Sequence, residues 1–362
     1  MKVGLLGVGL IGGSIGLAAR RRAHASVCGY DLDARVRAVA LERGAIDSEA
    51  GDPRDAVTGA DVVFVATPVG ALADTVRLAL DSAGPGCVVT DVGSTKRVLA
   101  EVGADERFIG GHPLAGAETA GVEHAREDLF DGATWYLTPA RGSTAGVLYE
   151  RLHRLLTTFG AQPTAIDAET HDRLMACVSH LPHVLANLLV GQAARLLGEE
   201  SSPRLPAVGP SFRDATRVAG ANSAIWTDIY MSNRDALTAG IDEFAARLGD
   251  VRSALARGDA VAVTVWNDAA RGDREALLGA GLTGGAAGVS IHEIRASVPN
   301  QPGVIAEIAL ALGGAGVNIL DMALSPSEDN RQGVVALWIG GEEQSRRAQQ
   351  LIAELGFPVA RP

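Results

Sequence analysis

The stretch GLLGVGLIGGSIG, residues 4–16, constrains the fold more than any other part of this chain. An apolar run from Lys2 to Leu6 breaks at Gly7, and a helical pattern opens just after it, with Gly7, Gly9 and Gly12 in G-x-G-x-x-G spacing. Each glycine answers a steric demand: a tight turn, close approach of backbone to a pyrophosphate, and close packing of helix on strand. With 44 glycines in the chain the spacing alone could arise by chance. Its position between a strand and a helix gives it weight, because phosphates sit on the N–H groups of a helix start.

The same alternation continues to about Ile166 through VCGYD, VVFVATP, CVVTDV, FIGGHP, TWYLTP and QPTAI, each followed by a helical or turn-rich segment. It predicts a mostly parallel sheet covered on both faces, an α/β Rossmann-type domain over 1–166. The cofactor contacts expected there are Gly7, Gly9, Leu10, Ile11 and Gly12 in the loop and helix start, and Thr67 and Pro68 after VVFVA. Asp31 closes the second strand, where its carboxylate can hold the ribose hydroxyls and repel a 2′-phosphate, so NAD is expected over NADP. Asp31 could instead merely start the turn DLDAR or cap the next helix.

Strand signals stop at about Asp167, and long helical stretches predict an all-helical domain over 167–280. GAGLTGGAAG follows, with 281–288 reading as a glycine-rich linker. Residues 289–362 then run β-α-β-β-α-β, the order of a small ferredoxin-like α+β domain.

A net charge of −11 argues against nucleic acid or an anionic membrane as the main partner. Lys2 and Lys96 are the only lysines, and the dominance of arginine reads first as codon bias. Cys28, Cys87 and Cys177 form no CxxC pair and suit a reducing compartment. Glycines interrupt the apolar N-terminus, and no uninterrupted apolar run reaches the ~18 residues of a membrane span. A cytoplasmic location is the simplest expectation.

SHLPH, residues 179–183, places two histidines in an apolar helical run. On a regular helix with Ser179 at zero, Asp172, His183, Ala176, Asn187 and His180 fall roughly at 20°, 40°, 60°, 80° and 100°. They form one mainly polar stripe; His171 falls on a different face and is left out of the set. The stripe could be a metal site, a set of satisfied core polar groups, or a wall facing a substrate. His180 and His183 supply only two ligands without a supporting motif, so no metal is expected. Burying many polar groups is costly unless each is paired, which favours the substrate wall. Pro182 removes a helical hydrogen bond and should distort the helix beside both histidines.

DVGSTK (91–96) is expected to follow a strand and start a helix, projecting Ser94 from the carboxyl edge of the sheet, though Ser94 could be a plain N-cap. GGHPLAG (110–116) follows the next strand and puts His112 at the same edge. Ligands of open α/β sheets bind at that edge. A histidine there suits the general base for an alcohol being oxidised, with Ser94 orienting the imidazole or the hydroxyl.

GVGLIGGS, DVGSTK, GGHPLAG, HDRLMACVSHLPH, SFRDATR and IWTDI stand in the order found in prephenate dehydrogenases, which this chain resembles from residue 1 to about 280, the related arogenate dehydrogenases included. The segment around NQPGVIAEIALALGGAGVNI resembles an ACT domain, an amino-acid-binding regulatory module. The resemblance implies NAD-dependent oxidation of the C4 hydroxyl of prephenate with loss of the ring carboxylate, giving 4-hydroxyphenylpyruvate on the way to tyrosine. It implies His112 as the base or acceptor, Ser94 as its partner, and Arg217 as the cation on a substrate carboxylate, with Arg213 a rival. Asp214 and Trp226 would shape or gate the pocket, and Ser179, His180 and His183 would form its wall, His183 closest to the substrate. Asn300, Gly303, Asn318 and Ile319 become candidate effector contacts with tyrosine as the logical effector, and a homodimer is implied.

Of three alternatives, only the first stays open. Arogenate differs from prephenate only in carrying an amino group in place of a keto group, and no residue read from the sequence separates them. A β-hydroxyacid dehydrogenase shares the fold but relies on a lysine in the helical domain, which this chain lacks. A non-catalytic regulator sensing NAD and an amino acid would not need Ser94, His112, His183 and Arg217.

Overall fold

The structure is a computed structural model and describes residues 1–100, 102–116, 119–139, 146–199, 208–282, 291–301, 303–326 and 331–360. It divides into two compact units, Met1–Arg252 and Ser253–Pro362.

The first unit opens with β1 (Lys2–Leu6), α1 (Leu10–Arg21), β2 (Ser26–Tyr30), α2 (Ala34–Glu42), β3 (Ser48–Glu49), α3 (Pro53–Val57), β4 (Val62–Val65), α4 (Val69–Ser82) and β5 (Val88–Asp91). These five strands form one parallel sheet in the order β3-β2-β1-β4-β5. The order reverses between β1 and β4, which opens a crevice at their carboxyl ends. Val62 and Phe64 of β4 face a core shared with Ile15 of α1, while Val63 and Val65 face Leu72 and Val76 of α4. Alternate strand residues thus feed two separate cores, so the strand reads as continuously apolar.

β6 (Ile109–Pro113), β7 (Thr134–Pro139), α5 (Val147–Thr158) and β8 (Gln162–Ala165) extend this domain. β6 runs antiparallel to β7, and β7 is parallel to β8. A parallel bridge from Val89 to Phe108 brings β6 alongside β5. The expectation of a mostly parallel sheet covered on both faces therefore holds, with one antiparallel pairing.

The helical part consists of α6 (Ala168–Met175), a π turn at Ala176–His180, α7 (Leu181–Glu199), α8 (Pro210–Thr216), a 3₁₀ turn at Arg217–Gly220, α9 (Ser223–Ser232) and α10 (Arg234–Ala256). The π turn ends just before Pro182, which has no N–H to offer the preceding turn. By length and composition alone the 29-residue run Ala168–Leu196, mean hydropathy 1.5, would suffice to cross a membrane. Its His171, Asp172, His180 and His183 are instead buried against other parts of the same unit.

The second unit holds α11 (Ala260–Leu282), then β9 (Ile291–Pro299), α12 (Val304–Gly314), β10 (Ile319–Pro326), β11 (Gln332–Gly340), α13 (Glu342–Glu354) and β12 (Val359–Ala360). The four strands form an antiparallel sheet, β10-β11-β9-β12, packed through Ile294, Ala296, Leu337 and Ile339 on Ile308, Leu312 and Ile352. This is the expected β-α-β-β-α-β order. α11 runs to Leu282, and the remainder of the 281–288 segment lies outside the described residues.

Candidate active site

The crevice begins at the glycine loop. Gly7 has φ +92°, and a Cβ on Gly12 would stand 2.0 Å from the Gly7 carbonyl oxygen, so the loop and α1 can meet only without a side chain there. A Cβ on Gly9 would meet nothing within 4 Å, leaving its outer face open. Asp31 accepts from Val8 N–H at 2.9 Å and from Asp33 N–H at 3.1 Å, which fixes its carboxylate beside the loop. The cap of α2 is Asp33 rather than Asp31. Thr67 follows β4, and its hydroxyl is buried without a hydrogen-bond partner; Pro68 stands at the N-terminus of α4. Leu10 and Ile11 form the first turn of α1. An open glycine face, a fixed carboxylate and an orphaned hydroxyl at one sheet edge fit a dinucleotide.

The next wall is built around a buried ion pair. Lys96 Nζ donates to the Asp91 carboxylate and to the Gly111 carbonyl, while Asp91 accepts from Gly93 N–H at 2.8 Å and Gly111 N–H at 3.0 Å. Both side chains are essentially inaccessible to solvent. The ion pair pins β6 against the end of β5, and a Cβ on Gly111 would lie 2.5 Å from the Asp91 carbonyl. The glycines of GGHP thus permit the approach that delivers His112.

Two expectations need correction here. His112 lies within β6, opposite Tyr136 of β7, rather than in a loop after the strand. DVGSTK leads into a 3₁₀ turn at Arg97–Leu99 rather than an α-helix, and Asp172 caps its start by accepting from the N–H groups of Lys96 and Arg97 at 2.8 and 2.9 Å.

A third correction concerns His171. Its Nε2 lies 2.9 Å from His112 Nδ1, its Nδ1 lies 2.8 Å from Asp172 Oδ1, and its side chain is fully buried. The regular-helix projection removed it from the site because nine residues place His171 and His180 about 180° apart. The π turn takes up one extra residue, so the two stand about 80° apart instead. His112 thus has His171, not Ser94, as the partner of its Nδ1; Ser94 sits half-buried in the preceding loop.

Burial holds the His112 imidazole well below its ordinary range, with the Lys96 ammonium, His171 and His180 acting in the same sense. Burial brings His180 down to about 4, against the opposing pull of Asp172. Asn233 Nδ2 bonds both the Asp172 carbonyl at 2.7 Å and His180 Nδ1 at 3.2 Å. Lys96 is itself lowered by burial, with Asp91 opposing.

The SHLPH wall and the IWTDI segment do come together. His183 stacks on Trp226 with ring centroids 3.6 Å apart and an interplanar angle of 4°, and Trp226 meets His180 edge-on at 6.2 Å. Nδ1 of His183 bonds the Tyr230 hydroxyl and lies 3.1 Å from Asn187 Nδ2. Burial also lowers His183, and the Val218 carbonyl opposes it, which sets the Arg217–Gly220 turn beside that ring. Arg217 is exposed on this turn, and Arg213 and Asp214 are exposed on α8. Ser179 is half-buried in the π turn.

His171, Lys96, Asp91, Asn233 and Tyr230 were not singled out by the sequence reading. The signal for Lys96 was present: a chain with two lysines places one of them in DVGSTK.

In the second unit, Asn300 lines a cavity of about 30 Å³ with Val304 and Gly333. Gly303 caps α12 with φ +95°. Asn318 is exposed before β10, and Ile319 begins that strand; neither lines the cavity.

A Rossmann-type sheet with a nucleotide cradle and a half-buried, neutral histidine at the same edge defines an NAD-dependent dehydrogenase. Residues 15–164 match the family model for the prephenate dehydrogenase nucleotide-binding domain, 167–265 the prephenate dehydrogenase dimerization domain, and 292–355 the ACT domain. The chain is 32% identical to prephenate dehydrogenase of Bacillus subtilis (strain 168), with 96% of this chain and 94% of that protein aligned. Prephenate dehydrogenase from A. aeolicus in complex with hydroxyphenyl propionate and NAD+ superposes with a TM-score of 0.69 at 27% identity, covering 76% of this chain and 98% of that one. Synechocystis arogenate dehydrogenase gives a TM-score of 0.67 at 28% identity, covering 76% of this chain and 100% of its own. The chain belongs to the prephenate dehydrogenase family.

Proposed function

We propose that this chain catalyses the NAD-dependent oxidative decarboxylation of prephenate to 4-hydroxyphenylpyruvate in tyrosine biosynthesis. The observation that carries the reading is His112, held neutral at the sheet edge that also presents Gly7, Asp31 and Thr67. Bound NAD would supply the hydride acceptor. Gly7, Gly9, Leu10, Ile11, Gly12, Thr67 and Pro68 would hold its phosphates and Asp31 its ribose.

His112 accepts the proton of the C4 hydroxyl as the C4–H bond breaks. A hydroxyl losing hydride becomes strongly acidic, so a weakly basic imidazole suffices. The electron pair of the bond to the ring carboxylate closes the aromatic ring as carbon dioxide leaves, and the proton on His112 returns to the phenolic oxygen. Aromatisation drives the step, which leaves the protein to position and neutralise. Arg217, on the turn beside His183, grips a substrate carboxylate, with Arg213 the rival anchor. His183, His180, Ser179 and Trp226 form the wall, Asp214 lies at its margin, and Ser94 meets the hydroxyl rather than Nδ1 of His112.

A homodimer fits the dimerization-domain match and the exposed Leu188, Leu189, Leu196, Ile241, Phe244 and Leu248 of α7 and α10. Tyrosine is the proposed effector of the ACT domain. The cavity at Asn300 is about 30 Å³, room for about one water, so an amino-acid site there needs a second surface. Arogenate is the second substrate reading, favoured by the likeness to the Synechocystis enzyme. Following NADH absorbance with prephenate and with arogenate, each with and without tyrosine, tests the whole reading. NADH formation with prephenate, slowed by tyrosine, is expected; turnover of arogenate alone reverses the substrate assignment, and no turnover of either refutes the enzyme.

A further inference from the structure

Three donors converge on the Asp172 carboxylate: Lys96 N–H at 2.8 Å, Arg97 N–H at 2.9 Å and His171 Nδ1 at 2.8 Å. Backbone N–H groups can only donate, and a carboxylate so surrounded only accepts. The His171 bond therefore runs from Nδ1–H to Oδ1. A neutral imidazole then has a single lone pair left, on Nε2, and it points at His112 Nδ1 from 2.9 Å. That contact is a hydrogen bond only if His112 carries its hydrogen on Nδ1. Its Nε2 is then bare. The opposite polarity would need hydrogens on both ring nitrogens of His171, a charge held in a fully buried side chain.

The rings have little freedom to escape this arrangement. His112 and His171 meet edge to face at 5.1 Å, and Tyr136, the cross-strand neighbour of His112, meets His171 edge to face at 5.7 Å. Asp172 is in turn fixed by the two backbone bonds it accepts from the segment after β5.

We propose that Asp172 and His171 form a relay that fixes His112 in the Nδ1–H tautomer and so keeps Nε2 as the acceptor for the substrate hydroxyl. This deepens the reading of His112 as the base and rests on it. His171 is a positioning residue that acts through His112. When Nε2 takes the proton, the Nδ1–H bond to His171 becomes charge-assisted and stronger. Asp172 stands at the far end of the chain to balance the positive charge. The relay thus favours the state in which the hydroxyl has lost its proton over the state before it.

The direct test is ¹⁵N NMR of the full-length protein labelled at the histidine rings, with the His112 signals assigned by their loss in His112→Asn. Protonated Nδ1 and bare Nε2 on His112 are expected, and an Nε2–H tautomer in the parent overturns the proposal whatever the variants do. Kinetics supply the second arm. His171→Leu removes the acceptor and should lower kcat on the order of a hundredfold, with NAD affinity kept within about twofold. His171→Gln, whose amide oxygen can accept from Nδ1–H, should recover at least about tenfold of that loss. Parent-like kcat in the leucine variant, or equal losses in both, overturns the relay. His112→Asn run in parallel keeps the two readings apart: normal turnover there removes His112 as the base, whereas its collapse beside an unimpaired His171→Leu removes only the relay.

Discussion

Acid should loosen this protein through the same histidines that line its site, and His180 allows the size of the effect to be worked out. The perturbation is His180→Asn, which keeps an acceptor near the Asn233 amide, now 3.2 Å from His180 Nδ1, and removes the titration. His180 protonates at about 4 in the folded chain because it is buried. In the unfolded chain it does so at about 6.5. The unfolded state therefore binds the extra proton between those values, so the stabilisation is whole above about pH 6.5 and is lost as pH falls toward 4. At pH 5 the loss from this one ring is about 2 kcal/mol, taken as a ceiling because water that reaches the ring reduces it. Urea unfolding of parent and variant at pH 7.5 and pH 5, followed by near-ultraviolet circular dichroism, measures the difference. The parent should lose about 2 kcal/mol more than His180→Asn over that interval. Identical pH dependence in the two proteins would refute the assignment of a buried, neutral His180.

The other expectations concern ligands. Asp31→Ser should weaken NAD binding by about tenfold or more and narrow the gap to NADP, measured by fluorescence titration; unchanged NAD affinity would remove Asp31 from the cofactor site. Gly12→Ala sets a Cβ 2.0 Å from the Gly7 carbonyl oxygen, so it should cost about 1–3 kcal/mol of stability and abolish tight NAD binding. A normal melting temperature with normal NAD affinity would contradict that. Arg217→Ala should cut kcat/KM for prephenate at least about tenfold, and values within about twofold of the parent would take Arg217 out of the site.

The layered organisation was legible because its signals are local. β1, the glycine loop and α1 announce themselves in sixteen residues, and the βαββαβ order of the last domain follows from alternation alone. Asp31 was legible for the same reason, since strand length fixes where a carboxylate at the end of β2 must stand. His171 was not. Its place depends on one extra residue in the turn before Pro182, and a projection at constant angle places every residue upstream of that turn on the wrong face. Pro182 itself was the clue: it signalled a distortion without giving its sense. Asp172 was read as a member of the polar stripe, yet its carboxylate caps the segment after β5, a contact 76 residues away along the chain that no local pattern encodes. Lys96 and Asp91 were hidden differently, since a buried ion pair five residues apart resembles any charged turn until β6 is laid against it.

Whether His112 takes the proton of an alcohol oxidised by NAD is decided by prephenate-dependent NADH formation in His112→Asn. In that variant kcat should fall by about two to four orders of magnitude while NAD affinity stays within about twofold of the parent. Turnover near that of the parent would contradict it and place the base elsewhere.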